Sequence, residues 1–264
     1  MIPLNQNSLL THLSAIQCHL PLKLHIFDTI DSTNNFLKNL PISNTLDICC
    51  AETQTIGRGR FNRSWYSPWG ENIYLSIRWP ISCTIKKLSA LSLVISLSVI
   101  TALKQLGIND NILIKWPNDL MWQDKKLSGN LIEITHNHSH VIIGIGLNVN
   151  SNSNDNTHTV IDQPWCSLSD ITGQHFDRNN IIAAIIATLH HTLPQFMTTG
   201  FMQFMQEWNN LDYLKDRMIT ISNNNAQPIV GTAMGVNDTG QLLIQDKLNI
   251  THVCISGETS VQTA

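Results

Sequence analysis

Residues 54–76 read QTIGRGRFNRSWYSPWGENIYLS, and this stretch governs how the rest of the chain is read. It leaves one strand-like run, 47–53, and enters another, 72–79. Gly57 and Gly59 alternate with Arg58 and Arg60, and Asn62 and Arg63 follow. Glycines let a backbone come close to a ligand but raise the entropy of the free loop. Arginines offer planar, permanently charged donor forks that suit carboxylate and phosphate. A loop of this make-up is a poor structural connector and a good anion trap, mobile when empty and ordered when an anion arrives.

The chain has 264 residues, enough for one good core and a small second domain. Sixteen basic side chains face nineteen acidic ones, a net charge of −3 with histidine neutral. That balance leaves no basic face for tight nucleic-acid binding, so the loop arginines are read as aimed at a small anion. The six cysteines (Cys18, Cys49, Cys50, Cys83, Cys166, Cys254) show no CxxC spacing and sit mostly in apolar runs. They read as buried, reduced thiols, with neighbours Cys49 and Cys50 on opposite faces of a strand. No basic region followed by a long apolar run marks a secretory signal, and a cytoplasmic location is expected. The longest apolar stretch, 88–106, contains Lys104 and four serines and reads as a core helix rather than a membrane span.

Periodicity and breakers suggest the following elements. A short helix is expected over 8–19 with Ser8 as cap, then a strand at 22–29. Ser32 or Thr33 can cap the next helix, which stops at Pro41. The strands at 47–53 and 72–79 flank the arginine loop, the second with good alternation. One long helix is expected over 84–106, ended by Gly107, and a short buried strand over 112–116 is broken by Pro117. A hairpin, 120–123 and 127–135, turns at Asp124-Lys125, and another strand covers 140–148. Residues 150–156 (NSNSNDN) form a polar loop. Helices dominate 167–210, and short β runs separated by turns follow from about Met218, including Asn223-Asn224-Asn225 and Asn237-Asp238. Helices with hairpin-linked strands point to an α+β fold with a mixed, mainly antiparallel sheet and a small β-barrel-like C-terminal unit.

Other segments carry chemistry. Residues 115–129 read KWPNDLMWQDKKLSG. Lys115 closes a strand, Asn118 and Asp119 stand at its tip, and Lys125 and Lys126 follow a turn. Either these side chains converge on a cleft, the lysines neutralising phosphate and Asn118 or Asp119 helping to hold a magnesium–nucleotide complex, or this is an ordinary Pro-Asn-Asp turn with solvated lysines. Gly144 and Gly146 lie on an apolar strand, where they serve either a flat ligand or close packing. They do not make a dinucleotide fingerprint, since the third glycine and following helix are missing. His136, His138 and His140 would share a face of an extended strand, but the segment lies where a hairpin must turn, and no metal site is assigned.

Taken together, these segments resemble the biotin–protein ligases, over about residues 22–260. Asp31-Ser32-Thr33-Asn34 is similar to the family's DSTN element, and 54–70 to its glycine–arginine biotin loop. The SPxGxNxYxS pattern follows in 67–76, Lys115–Asp119 matches KWPND, and Lys126 falls at the family's catalytic lysine. Gly144–Asn148 matches a GxGxN strand, and Gly257-Glu258 resembles the signature of a C-terminal SH3-like barrel. Two positions depart: Asn62 stands where a third loop glycine is common, and Asn130 where an apolar residue is usual. Asparagine tolerates positive φ, so Asn62 need not break the loop.

The resemblance implies a catalytic domain like that of class II aminoacyl-tRNA synthetases at 22–214, a short N-terminal extension at 1–21 and an SH3-like domain at 215–264. It implies ATP-dependent activation of biotin and transfer to a lysine of a biotin carboxyl carrier protein, with magnesium entering as MgATP. Arg60 and Lys126 are the implied catalytic pair. Ser32, Thr33, Asn34, Gln54, Arg58 and Gly59 join them around biotin. Arg58, Lys115, Asn118, Asn148 and Trp165 are implied for ATP, Trp165 being either a stacking partner of adenine or a core tryptophan. Family members that double as repressors carry a winged helix-turn-helix ahead of the catalytic domain. Only about 20 residues precede the first strand here, so a monofunctional enzyme without DNA binding, monomer or homodimer, is expected. The rival readings are a lipoate ligase and a non-catalytic biotin sensor.

Overall fold

The computed structural model describes residues 2–18, 21–41, 45–136, 138–153, 163–223, 226–256 and 259–263. The resemblance at Gly257-Glu258, the end of the polar 150–156 loop and Asn224-Asn225 of the expected turn lie outside them.

Strands β1 (Leu22–Ile30) and β2 (Leu46–Gln54) run parallel, joined by helix α2 (Thr33–Asn39). Strand β3 (Ile73–Pro80) returns antiparallel beside β2, and β4 (Leu113–Lys115), β5 (Asp119–Trp122), β6 (Lys125–Ile134) and β7 (His140–Leu147) complete the sheet. The order is β1-β2-β3-β7-β6-β5-β4, with every pair but the first antiparallel, as the hairpin-linked pattern suggested.

Both faces of this sheet are covered, which alternation in β3 alone did not reveal. Residues Ile73–Arg78 are buried throughout. Apolar Ile73, Leu75 and Ile77 join the large core, while the intervening Ser76 and Arg78 are buried too. Arg78 is satisfied by Asp47 and by the carbonyls of Leu40 (2.6 Å) and Pro41 (2.8 Å). Cys49 packs with Leu37 of α2, whereas Cys50 packs in the main core, so the two thiols do face opposite ways. All six cysteines are free, and burial pushes the Cys50 thiol up to about 12.

The main core lies between the sheet and helices α3 (Leu91–Gln105) and α5 (Arg178–Thr199). Lys87–Gln105, which includes α3, and α5 are each long and apolar enough to cross a membrane, yet each is mostly buried within the fold. The expected single helix over 84–106 begins instead as a 3₁₀ turn, Ile85–Ala90, before α3. Gly107 at φ +82° ends it as expected. Helix α1 (Gln6–Ala15) is capped not by Ser8 but by Asn5, whose Oδ1 accepts from Ser8 N at 3.1 Å. Helices α4 (Leu168–Thr172) and α6 (Met205–Leu211) complete the helical segment, α4 carrying a capping box between Ser167 and Asp170. The hairpin β5–β6 turns at Gln123-Asp124, both in left-handed conformation. The histidine-rich segment connects β6 to β7, with His138 at φ +54°, so it is not the extended run that converging imidazoles require.

The C-terminal strands β8 (Met218–Asn223), β9 (Ala226–Val236), β10 (Leu242–Gln245), β11 (Thr251–Cys254) and β12 (Thr259–Thr263) form an antiparallel five-stranded sheet, order β11-β10-β9-β8-β12, consistent with an SH3-like unit. Its β9–β10 turn is fastened to the larger unit. Trp116 Nε1 donates to Gly240 O at 3.0 Å, and Ser89 Oγ to Thr239 O at 2.7 Å.

Candidate active site

A cleft on the α2 face of the sheet gathers most of the residues singled out from the sequence. Ser32, Thr33, Asn34, Gln54, Arg58, Gly59, Arg60, Lys115, Asn118 and Lys126 all line it. At one side stands the first turn of α2, capped by Ser32 Oγ. Gln54 Oε1 accepts from Thr33 N (3.0 Å) and Thr33 Oγ1 (3.1 Å), and Gln54 Nε2 donates to Ser67 Oγ at 3.3 Å. Buried Ser76 Oγ lies 2.7 Å from Thr33 Oγ1 and donates to Asn34 Oδ1 at 2.6 Å. These neutral groups are held by one another, so their free lone pairs and N–H groups are pre-aimed.

The arginine loop folds back on itself as a tight hairpin. Trp65 N donates to Gly57 O at 2.9 Å and Gly59 N to Arg63 O at 2.7 Å. A Cβ on Gly57 would fall 2.6 Å from Trp65 O, so the close approach needs glycine there. Asn62 takes φ +57°, as its tolerance of the left-handed region allowed. Phe61 beside it takes φ +56°, which the sequence did not announce, and its ring lies under the Arg60 guanidinium at 4.9 Å.

The two central arginines of the loop diverge. Arg60 Nη1 donates to Asn118 Oδ1 at 3.4 Å, and Nη2 donates to the carbonyl of Ser256, in the connection between β11 and β12. Burial lowers the Arg60 pKa, opposed by nearby Asp119. Arg58 instead reaches α2 and β6, donating to Asn35 Oδ1 and to Glu133 at 3.3 and 3.5 Å. Lys126 Nζ pairs with Asp119 at 2.8 Å and sits 5.5 Å from the Trp65 ring centre. Burial also lowers the Lys115 pKa. The strand tip and Lys126 therefore do converge, while Lys125 is exposed and does not line the cleft. Arg60, Lys115 and Lys126 bring positive charge to a cleft where charge-assisted hydrogen bonds to an anion are strong.

Asn148 and Trp165 are not among the lining residues. Asn148 Nδ2 donates to Cys166 O at 3.0 Å, and Trp165 forms an isolated parallel bridge with Lys126. Both therefore brace the strand carrying Lys126 from beside it. The glycines of β7 both line the cleft and are closely packed, against side chains rather than a helix backbone. A Cβ on Gly144 would fall 2.4 Å from Asn34 Oδ1, and one on Gly146 would fall 2.5 Å from the Trp65 indole. Trp65, Glu133 and the pairing of Asp119 with Lys126 were missed. A lone carboxylate within the apolar run LIEI was the signal for Glu133. Asn130, 6% exposed, is accommodated because Nδ2 donates to Ser92 O (3.1 Å) and Ser96 Oγ (3.0 Å) on α3.

Residues 26–150 match the model of the biotin/lipoate A/B protein ligase family. The chain is 33% identical over 241 residues to the bifunctional ligase/repressor BirA of Escherichia coli, covering 90% of this chain and 74% of that relative. It is 26% identical over 200 residues to the biotin–[acetyl-CoA-carboxylase] ligase of Mycobacterium tuberculosis, covering 75% of this chain and 72% of that one. Its fold matches the structure of the biotin protein ligase from Aquifex aeolicus in complex with biotin and ATP, with TM-score 0.79 and 27% identity over 92% of this chain and 99% of that one. With this level of identity over most of both chains, and the same fold, the chain belongs to the biotin/lipoate A/B protein ligase family.

Proposed function

We propose that the chain is an ATP-dependent biotin–protein ligase that makes biotinyl-5′-AMP and passes biotin to one lysine of a biotin carboxyl carrier protein. The observation that carries this reading is one cleft in which cationic Arg60, Lys115 and Lys126 lie across from the neutral polar cluster of Thr33, Asn34 and Gln54. A fused ureido ring attached to a carboxylate needs both. The neutral cluster offers donors and acceptors to the ring, and the cations meet the carboxylate and the phosphates.

A carboxylate and a triphosphate repel, so the first task is to hold them in line and neutralise them. A carboxylate oxygen of biotin attacks the α-phosphorus, the bond to the β-phosphate oxygen breaks, and pyrophosphate leaves. Arg60 and Lys126 are placed to offset the charge shared by carboxylate and α-phosphate, with Asp119 orienting Lys126 until the anions arrive. Lys115 and Asn118 serve the nucleotide side, with magnesium carried by ATP, while Asn148 and Trp165 act through the strand of Lys126. Arg58 closes the biotin side. In the second step the carrier lysine, as free amine, attacks the acyl carbon and AMP leaves with the bonding electrons.

Residues 22–214 form the catalytic unit in this reading, and 215–264 a C-terminal unit that reaches the loop through Ser256. The enzyme works in the cytoplasm as a monomer or homodimer, without operator DNA as partner. The test is a carrier domain incubated with enzyme, MgATP and either biotin or lipoate, read by intact mass. Modification of the single acceptor lysine by biotin is expected. Modification by lipoate instead would move the chain to the other branch of its family, and modification by neither would overturn the reading.

A further inference from the structure

Glu133 lies on β6 and is not among the residues lining the cleft, yet three side chains from two elements converge on its carboxylate. Asn34 Nδ2 donates to it at 2.9 Å and Lys38 Nζ at 3.2 Å, both from α2, and Arg58 Nη2 from the loop at 3.3 Å. Arg58 also donates to Asn35 Oδ1, so its guanidinium ties the loop to both the helix and the sheet. Burial pushes the Glu133 carboxyl up, but Asn34, Arg58 and Lys38 outweigh it and hold it below the usual carboxylate range.

We infer that Glu133 is the catch that holds the arginine loop closed over the biotin side of the cleft, a positioning residue acting through Arg58; the inference rests on the ligase reading. The loop needs such a catch. It carries Gly57 and Gly59, and Phe61 and Asn62 stand at positive φ, so its own backbone favours many other conformations. From within, backbone hydrogen bonds from Gly59, Arg63 and Trp65 oppose that freedom. Arg58 is the loop side chain that reaches α2 and β6. Because Glu133 also holds Asn34, the same carboxylate sets the polar cluster and the loop above it together. Arg58 Nε, buried with no acceptor among the described residues, is left as a donor for a ligand oxygen.

The experiment compares the parent with Glu133→Gln, Arg58→Gln, the double variant and Lys38→Gln. Trypsin cleavage after Arg60 and Arg63 is followed by mass spectrometry, without ligand and with saturating biotin, alongside the KM and kcat of adenylation. The catch predicts that Glu133→Gln and Arg58→Gln each speed ligand-free cleavage about tenfold, and that Glu133→Gln raises the biotin KM by a similar factor with kcat and the ATP KM nearly unchanged. The double variant adds little to either single one, since both cut the same tie. Lys38→Gln, which loosens α2 without touching the loop, leaves cleavage at the parent rate. Unchanged cleavage in Arg58→Gln or in folded Glu133→Gln, or additive effects in the double, overturns the catch. If biotin fails to protect even the parent loop, the ligase reading fails, and the ligand-free rates still judge the catch.

Discussion

Replacing Gly144 with alanine should push Asn34 out of the cleft. The added Cβ would lie 2.4 Å from Asn34 Oδ1 and 3.0 Å from Cγ, well inside contact distance. Asn34 cannot yield cheaply. It is 4% exposed, its Oδ1 accepts from Ser76 at 2.6 Å, and its Nδ2 donates to the Glu133 carboxylate at 2.9 Å. A neutral bond contributes about 1 kcal/mol and one to a charge about 2, and each leaves a buried partner unpaired when broken, so the cost is ~2–4 kcal/mol. At this chain length that lowers Tm by roughly 5–12 °C. Biotin KM should rise at least tenfold because the polar cluster moves, while ATP KM holds. A double-mutant cycle supplies the decisive control. In an Asn34→Ala background the methyl has room, so the stability cost of Gly144→Ala should fall to within about 0.5 kcal/mol of zero. Thermal and urea unfolding of the four proteins measure this. An equal cost in both backgrounds would refute the clash.

Lys126→Met keeps the length of the side chain but removes the charge, and biotin-dependent pyrophosphate exchange should fall by about 10²-fold or more with an unchanged circular dichroism spectrum. Exchange within tenfold of the parent would remove Lys126 from the reaction. Arg60→Gly cuts the links to Asn118 and Ser256 and adds flexibility, so adenylation should slow and free biotinyl-AMP should escape, labelling bystander lysines. Slower but equally selective labelling would make Arg60 a substrate anchor alone. Burial pushes the Asp212 carboxyl from 3.8 up to about 6, and its Oδ2 has no hydrogen-bond donor among the described residues. The folded state therefore holds this proton more tightly than the unfolded state, and stability falls as pH rises from about 4 through about 6. Asp212→Asn should be more stable than the parent by up to about 3 kcal/mol at pH 7.5, with the gap closing near pH 4. A gap independent of pH between 4 and 8 would contradict this.

Local chemistry was legible where it was written locally. Alternating glycine and arginine marked the loop, Ser32-Thr33 marked the cap of α2 that Ser32 provides, and the Trp116-Pro117 break with a turn near Asp124 pointed to Lys115, Asn118 and Lys126 meeting in one cleft. What was not legible depends on pairs far apart in the chain. Arg58 and Glu133 are 75 positions apart, and nothing in the loop says which carboxylate receives its charge. The glycines of β7 line the cleft, and nothing near them in sequence says that Asn34 and Trp65 pack against them. Asn130 breaks an apolar pattern that only Ser92 and Ser96, on another element, make tolerable. The alternation of β3 does not show that both its faces are covered, because the cover provided by α2 lies 34 or more positions upstream of that strand.

Biotin-dependent incorporation of labelled pyrophosphate into ATP tests the central claim most directly, since only an enzyme that reversibly forms biotinyl-AMP and pyrophosphate can catalyse it. The purified chain should incorporate label with MgATP and biotin and none when biotin is omitted. No incorporation above the biotin-free control, from protein whose cooperative unfolding shows it to be folded, would contradict the account.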